Sequence, residues 1–277
     1  MKNYVKLVNF EFNRVAKLFA VLLGITFVMQ MIGVIIVSRK YLNMANERMY
    51  EQMMTKVQFL ESFGQMSFLQ VVRSVWFLGP IAICVAGVGF YIFLIWYRDW
   101  FGKNTFIYRL LMLPTTRLNI FYAKITTILI LTVGLVAIQL ILLPIEMWVM
   151  KAMVSDEFRS DMGVHQVLIS MPELSIIIPS SFVELILFYG AGLMVVSVLF
   201  TAILFERSFR WKGIVAGVLY SGAAIVVLIL PILLHELVLN GFFYPIELFL
   251  LVILMGVIVF GASIWMSGFL LTKKITV

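Results

Sequence analysis

Six long apolar runs constrain this chain more than any other feature. They cover approximately residues 17–37, 75–96, 125–145, 182–205, 214–234 and 246–270. A helix rising about 1.5 Å per residue needs roughly twenty residues to cross a hydrocarbon core about 30 Å thick, and each run is that long. The only acids inside these windows are Glu184 and Glu247, each close to the start of its run. The chain is 63% hydrophobic and 13% charged, with a mean hydropathy of +1.07. Soluble domains lie nearer half apolar and a quarter charged. A water-soluble fold could not hide so much apolar surface in 277 residues. The expected fold is therefore an all-α integral membrane protein, one transmembrane domain over residues 1–277 with six transmembrane helices. The first run is too long for a secretory signal, and "SRKYLNM" after it offers no small-residue cleavage site, so it is expected to stay as a span.

The positive charges orient the spans. With the N-terminus inside, segments 1–17, 97–124, 206–213 and 271–277 face the cytoplasm and carry fourteen of the 21 Lys and Arg residues. Segments 38–74, 146–181 and 235–245 carry the other seven. This asymmetry predicts cytoplasmic termini and a multi-pass protein of the cytoplasmic membrane. The inner segments hold only three acids, Glu11, Asp99 and Glu206. The net charge of +7 is scattered over short connections and never gathered on one soluble face, which argues against nucleic acid as a partner. Cys84 is the only cysteine and lies in an apolar run, so it is expected as a small buried hydrophobe.

Three stretches outside the runs have helical patterning. In residues 1–16, Tyr4, Val5, Val8, Phe12 and Val15 share a face opposite Lys6, Asn9 and Asn13, which predicts an amphipathic helix lying in the membrane interface. In segment 38–74, Met49, Met53, Val57 and Leu60 fall on one stripe suited to packing. Segment 146–181 permits a short surface helix and then either a re-entrant or an interfacial piece. Pro80, Pro144 and Pro231 are expected to kink spans two, three and five. Gly87, Gly89, Gly190, Gly192, Gly213 and Gly217, with Ser221, are expected at close helix contacts.

No motif in the chain supports catalysis. "HELVLN" begins like a zinc-binding helix, but Leu239 stands where the second histidine belongs. "GASIW" around Ser263 lacks the glycine that a nucleophile elbow needs after its serine. "FGKNT" has Gly102-Lys103, but Tyr97 occupies the place of the earlier glycine of a phosphate loop. The chain is thus expected to be no enzyme and to bind no cofactor or metal; any ATP chemistry would belong to another protein.

The stretch "RLLMLPTTRLNIFYAK", residues 109–124, interrupts this apolar pattern with three basic residues and a proline. Asn104 or Thr105 can cap a short helix through "FIYRLLM", in which Phe106 and Leu110, and Ile107 and Leu111, are i,i+4 pairs. Pro114 should stop that helix, and Thr115 or Thr116 should cap the next span, with Arg117 and Lys124 at headgroup level. The four apolar side chains need a cover, either the inner leaflet or a groove on another protein.

Residues Leu110, Leu113, Pro114, Thr115, Thr116, Arg117, Ile120, Ala123 and Lys124 resemble the segment between spans two and three of ABC-2-type transporter permeases, particularly the small six-span bacterial exporters. The amphipathic start, the six spans and the inside termini are similar to that family across the chain. The resemblance implies a short cytoplasmic coupling helix that docks on a separate ABC ATPase, with Phe106, Ile107, Arg109, Leu110 and Leu111 at the contact. Pro114, Thr116 and Arg117 would form the coupling turn and the start of span three. It further implies two ATPase copies carrying ATP and Mg, a second permease chain, identical or related, and an amphiphilic cargo such as a peptide, drug or lipid-like molecule. The chain departs from many such permeases in one place. Only "HELVLNGFFYP" joins spans five and six, where the family often has a re-entrant helical pair. The rival expectation is a non-transport six-span sensor, immunity or scaffold protein.

Overall fold

A computed structural model describes residues 2–51, 53–101, 106–238 and 241–275. Six helices are long and apolar enough to cross a bilayer: α1 (Lys2–Glu51), α4 (Val75–Trp100), α6 (Leu118–Met153), α9 (Phe182–Phe209), α10 (Trp211–Leu233) and α11 (Pro245–Phe269). The chain is an all-α, multi-pass membrane protein. The described residues also include five short α-helices: α2 (Lys56–Phe63), α3 (Phe68–Val72), α5 (Phe106–Leu111), α7 (Val164–Ile169) and α8 (Pro172–Ile177). Two two-residue strands, β1 (Met66–Ser67) and β2 (Arg159–Ser160), pair in parallel. The prolines predicted to lie in spans do so, with Pro80 in α4, Pro144 in α6 and Pro231 in α10.

The helix expected over residues 1–16 is not separate from the first span, as the described residues 2–16 show. They are the first turns of α1, which runs unbroken for 50 residues. No proline occurs before residue 52, and the first glycine is Gly24, so nothing in the chain breaks the helix where a bend was expected. The buried stripe Leu7, Glu11, Val15 and Leu22 passes straight through the expected boundary.

The contacts divide the chain into two compact units, each using parts of α1, α4 and α6. One comprises residues 15–88 and 131–181. Its core is built around Val34, Phe59, Phe68, Phe77, Leu143 and Val167, with polar contacts set into it. The Thr26 hydroxyl lies 3.2 Å from the sulfur of Cys84, which is buried as expected. Gln30 Nε2 donates to Phe77 O at 3.3 Å and to Gln139 Oε1 at 3.0 Å. The methionine stripe is not one helix face. Met53 has φ of 48° and is exposed, and α2 begins afresh with Thr55 and Gln58 in a reciprocal capping box. Segment 146–181 continues α6 to Met153, where Arg159 donates to Lys151 O and Val154 O at 2.9 Å each and so closes the helix end.

The second unit comprises residues 1–14, 89–130 and 182–277. In it α9 and α10 form a hairpin joined by Arg210 alone, at φ of 54°. The turn is possible because the helix backbones nearly touch. A Cβ built on Gly213 would lie 2.0 Å from Phe205 O, and one on Gly217 would lie 2.9 Å from Ala202 O. Around Gly89, Gly190 and Gly192 there is open space within this unit, so those glycines are not contact sites as expected from sequence. Thr201 Oγ1 donates to Ser263 O at 3.2 Å and lies 2.9 Å from Ser267 Oγ, and Tyr220 Oη lies 2.8 Å from Ser263 Oγ. These hydroxyls stitch α9, α10 and α11 together in an apolar setting. Gly213→Ala is expected to destabilise the protein by about 1–3 kcal/mol through overpacking against a backbone that cannot move aside, whereas Gly89→Ala is expected to be silent. Thermal unfolding of the two variants in detergent checks the contrast.

Candidate functional site

The stretch singled out by sequence lies wholly within the second unit. Helix α5 ends at Leu111, and the backbone turns through residues 112–117 with Pro114 exposed in the bend. Asn119 Nδ2 donates to Thr115 Oγ1 at 2.6 Å, and α6 begins at Leu118. Thr116 is exposed, its carbonyl accepting from Asn119 N at 2.9 Å. Asn104 and Thr105, the expected caps of α5, lie outside the described residues.

Ile107, Leu110 and Leu111 are buried inside the chain itself. Phe106 stacks on Phe10 of α1, with ring centroids 5.5 Å apart. The free face of α5 and its turn is instead made by Tyr108, Arg109, Met112 and Leu113. Of the five expected docking residues Arg109 belongs to that face, Phe106 and Leu110 line the groove beside it, and Ile107 and Leu111 are buried. The burial follows from the shortness of α5, three of whose six residues turn into the chain. Beside the free face runs an open apolar groove of ≈390 Å3, lined by Lys6, Leu7, Phe10, Phe106, Leu113 and Pro114 among others.

Beneath α5 sits a cluster of five charged side chains. Lys124, expected at headgroup level, is fully buried on α6. Its Nζ donates to Glu11 Oε1 of α1 at 2.8 Å, to Ile95 O of α4 at 2.8 Å, and to Asp99 Oδ2 of α4. Arg14 donates to the other Asp99 oxygen at 2.7 Å, and Arg98 donates to Glu11 Oε2 at 2.9 Å. Both carboxylates are thereby bonded at both oxygens, which offsets much of the cost of burying them. The Arg14 guanidinium also lies over the Phe10 and Phe106 rings, 5.1 and 5.3 Å from their centroids. A continuous path of contacts therefore leads from α5 through Phe106, Arg14 and Asp99 to Lys124, binding α1, α4, α5 and α6 at one point.

Arg117 has acceptors that the sequence did not indicate. Its Nη1 donates to Leu271 O at 2.7 Å and Ile275 O at 2.8 Å, capping the last helical turns of the chain. The third lone acid, Glu206, accepts from Tyr97 Oη, and Arg207 lies 4.6 Å from the Tyr97 ring centroid. The sequence carried a signal that these acids have partners, though not which ones. Three acids among fourteen bases in strongly basic segments are candidates for buried partners, and each of the three is paired.

His235, at the start of the incomplete zinc-like motif, accepts a hydrogen bond at Nδ1 from Phe243 N at 3.3 Å and stacks on the Phe243 ring. No protein family, characterised protein or solved structure matches the chain.

Proposed function

We propose that the protein is the membrane subunit of an ATP-driven ABC exporter, working as two permease chains with two ATPase chains and moving an amphiphilic cargo across the cytoplasmic membrane. The observation that carries this reading is the segment Leu110–Lys124. It resembles the coupling segment of ABC-2-type permeases, and its short helix has a free outer face joined by continuous contacts to three long helices. In this reading ATP and Mg bind the partner ATPase, and both termini of the permease are cytoplasmic.

The partner would touch Tyr108, Arg109, Met112 and Leu113, with the neighbouring groove receiving one of its side chains. A push on α5 would pass through Phe106 and Arg14 to Asp99 and Lys124, and so reach α1, α4 and α6 together. A rigid ion cluster suits that task, because packed charged groups move as a body and do not deform. The apolar character of all six spans favours cargo with lipid-like parts.

The test is quantitative copurification of an ABC ATPase with the permease, together with ATPase turnover of the purified pair. Arg109→Glu combined with Met112→Asp leaves the buried side of α5 intact. Loss of one interface anchor costs about 2 kcal/mol, near a thirtyfold loosening, so the double variant is expected to lose most of its ATPase at unchanged permease level. A double variant that retains its ATPase at wild-type stoichiometry places the docking face elsewhere. Absence of any ABC ATPase from the wild-type complex, with no nucleotide-dependent transport, favours the sensor or scaffold reading.

A further inference from the structure

The tip of the α9–α10 hairpin holds a residue that the fold alone does not account for. Arg210 joins the two helices at φ 54° and ψ −128°, a region that glycine enters freely and a residue with a Cβ enters only under strain. Its side chain is exposed and forms no ion pair among the described residues. Strain held for no contact inside the chain points to a contact outside it.

Three more cations share this surface. Lys212 follows two residues later, and Lys273 and Lys274 belong to the last helical turn, Leu270–Lys274, which packs on α9. Lys274 Nζ lies 5.8 Å from the ring centroid of Phe209, the neighbour of Arg210, so two segments far apart in sequence meet at one place. All three lysines are exposed, and none forms an ion pair among the described residues. The one acid in segments 206–213 and 271–277 is Glu206, which accepts from Tyr97 Oη. Apolar side chains continue the surface along the span. Trp211 is 84% exposed at the first turn of α10, and Val215 and Val218 follow it on the same face, exposed as well. Tryptophan at the end of an apolar helix, with one polar N–H edge, suits the headgroup level of a bilayer.

We infer that this surface binds an anionic phospholipid of the adjoining leaflet, its phosphate held by Arg210, Lys212, Lys273 and Lys274 and an acyl chain lying along Trp211, Val215 and Val218. A phosphodiester accepts charge-assisted hydrogen bonds from guanidinium and ammonium groups alike. A soluble anion would meet the charges and leave the apolar stripe bare, and a folded acidic protein cannot enter the bilayer to cover it. Only an amphiphile matches both halves. The inference is independent of the exporter reading, since it uses neither α5 nor its groove.

The experiment is thermal unfolding of the full-length protein in mixed micelles, titrated with phosphatidylglycerol or with phosphatidylcholine of the same acyl chains. The wild-type midpoint is expected to rise saturably with phosphatidylglycerol, several degrees further than with phosphatidylcholine. Each cation near a lipid headgroup contributes about fivefold to affinity, so Lys273→Gln combined with Lys274→Gln raises the half-saturating phosphatidylglycerol concentration roughly twenty-five-fold. Arg210→Gly separates binding from folding. Its midpoint in phosphatidylcholine is expected above wild type, because glycine relieves the strained φ, while its half-saturating phosphatidylglycerol concentration rises about fivefold. An arginine with a purely structural role would not move the two in these opposed directions. Arg73→Gln, at an exposed site in the other unit, leaves the titration unchanged. Glycerol phosphate, which has the headgroup phosphate and no acyl chain, leaves the midpoint unchanged. Three results overturn the inference. One is an equal response to the two lipids, and another is a phosphatidylglycerol response that both variants retain in full. The third is a rise with glycerol phosphate as large as with the lipid, which makes the surface a site for soluble phosphate.

Discussion

Lys124→Met lowers the stability of the protein by about 3 kcal/mol, the lower end of the range for breaking a buried ion pair. Methionine fills nearly the same volume, so the loss comes from the three acceptors that Lys124 Nζ leaves behind: a Glu11 oxygen, an Asp99 oxygen and the Ile95 carbonyl. The lower end applies because Arg98 still holds Glu11 and Arg14 still holds Asp99. Lys124→Arg does not rescue the variant, since the larger planar guanidinium must fit a site with no free surface. Thermal unfolding in detergent measures the loss. A double-mutant cycle with Asp99→Asn isolates the pairwise term, because neighbours sharing a network are not additive. An unchanged midpoint for Lys124→Met would mean that the cluster holds nothing together.

Leu110→Asp removes the folded protein from the membrane, whereas Met112→Asp two residues later costs less than about 0.5 kcal/mol. Leu110 is 4% exposed and Met112 is 70% exposed. An aspartate at 110 is buried against the apolar contacts of α5, a loss of more than about 3 kcal/mol. At 112 the same side chain points into open space. The comparison is read by fluorescence-detected size exclusion of the two variants. Equal monodisperse peaks would show that the inner face of α5 is not packed on the chain. The contrast also decides how docking must be probed: a variant at Leu110 reports on folding, and only the outer face reports on a partner.

The number and approximate position of the six spans were legible in the chain, because each depends on a local property, although α1 and α6 run well beyond them. A run of twenty apolar residues must be a helix in a bilayer whatever surrounds it, since every backbone polar group has to be satisfied within the segment. The turn at Pro114 was legible for the same reason, as proline removes a donor and fixes its own φ. Cys84 in an apolar run could hardly be anything but buried.

What tertiary packing settled was the partner of each polar group. Lys124 and Arg117 are equally basic and lie seven residues apart, and both suit a headgroup layer. One is locked between two carboxylates and the other caps the chain's last turns, because the residues they meet lie far away in sequence. Glu146 shows the same limit in reverse. It falls one residue past the end of an apolar run and looks like the start of an outer loop. Yet α6 continues to Met153, and the side chain is fully buried. Hydropathy reports where a segment leaves water, a cost that each residue contributes separately. Which charge meets which depends on the crossing of helices tens of residues apart, and no local pattern encodes it.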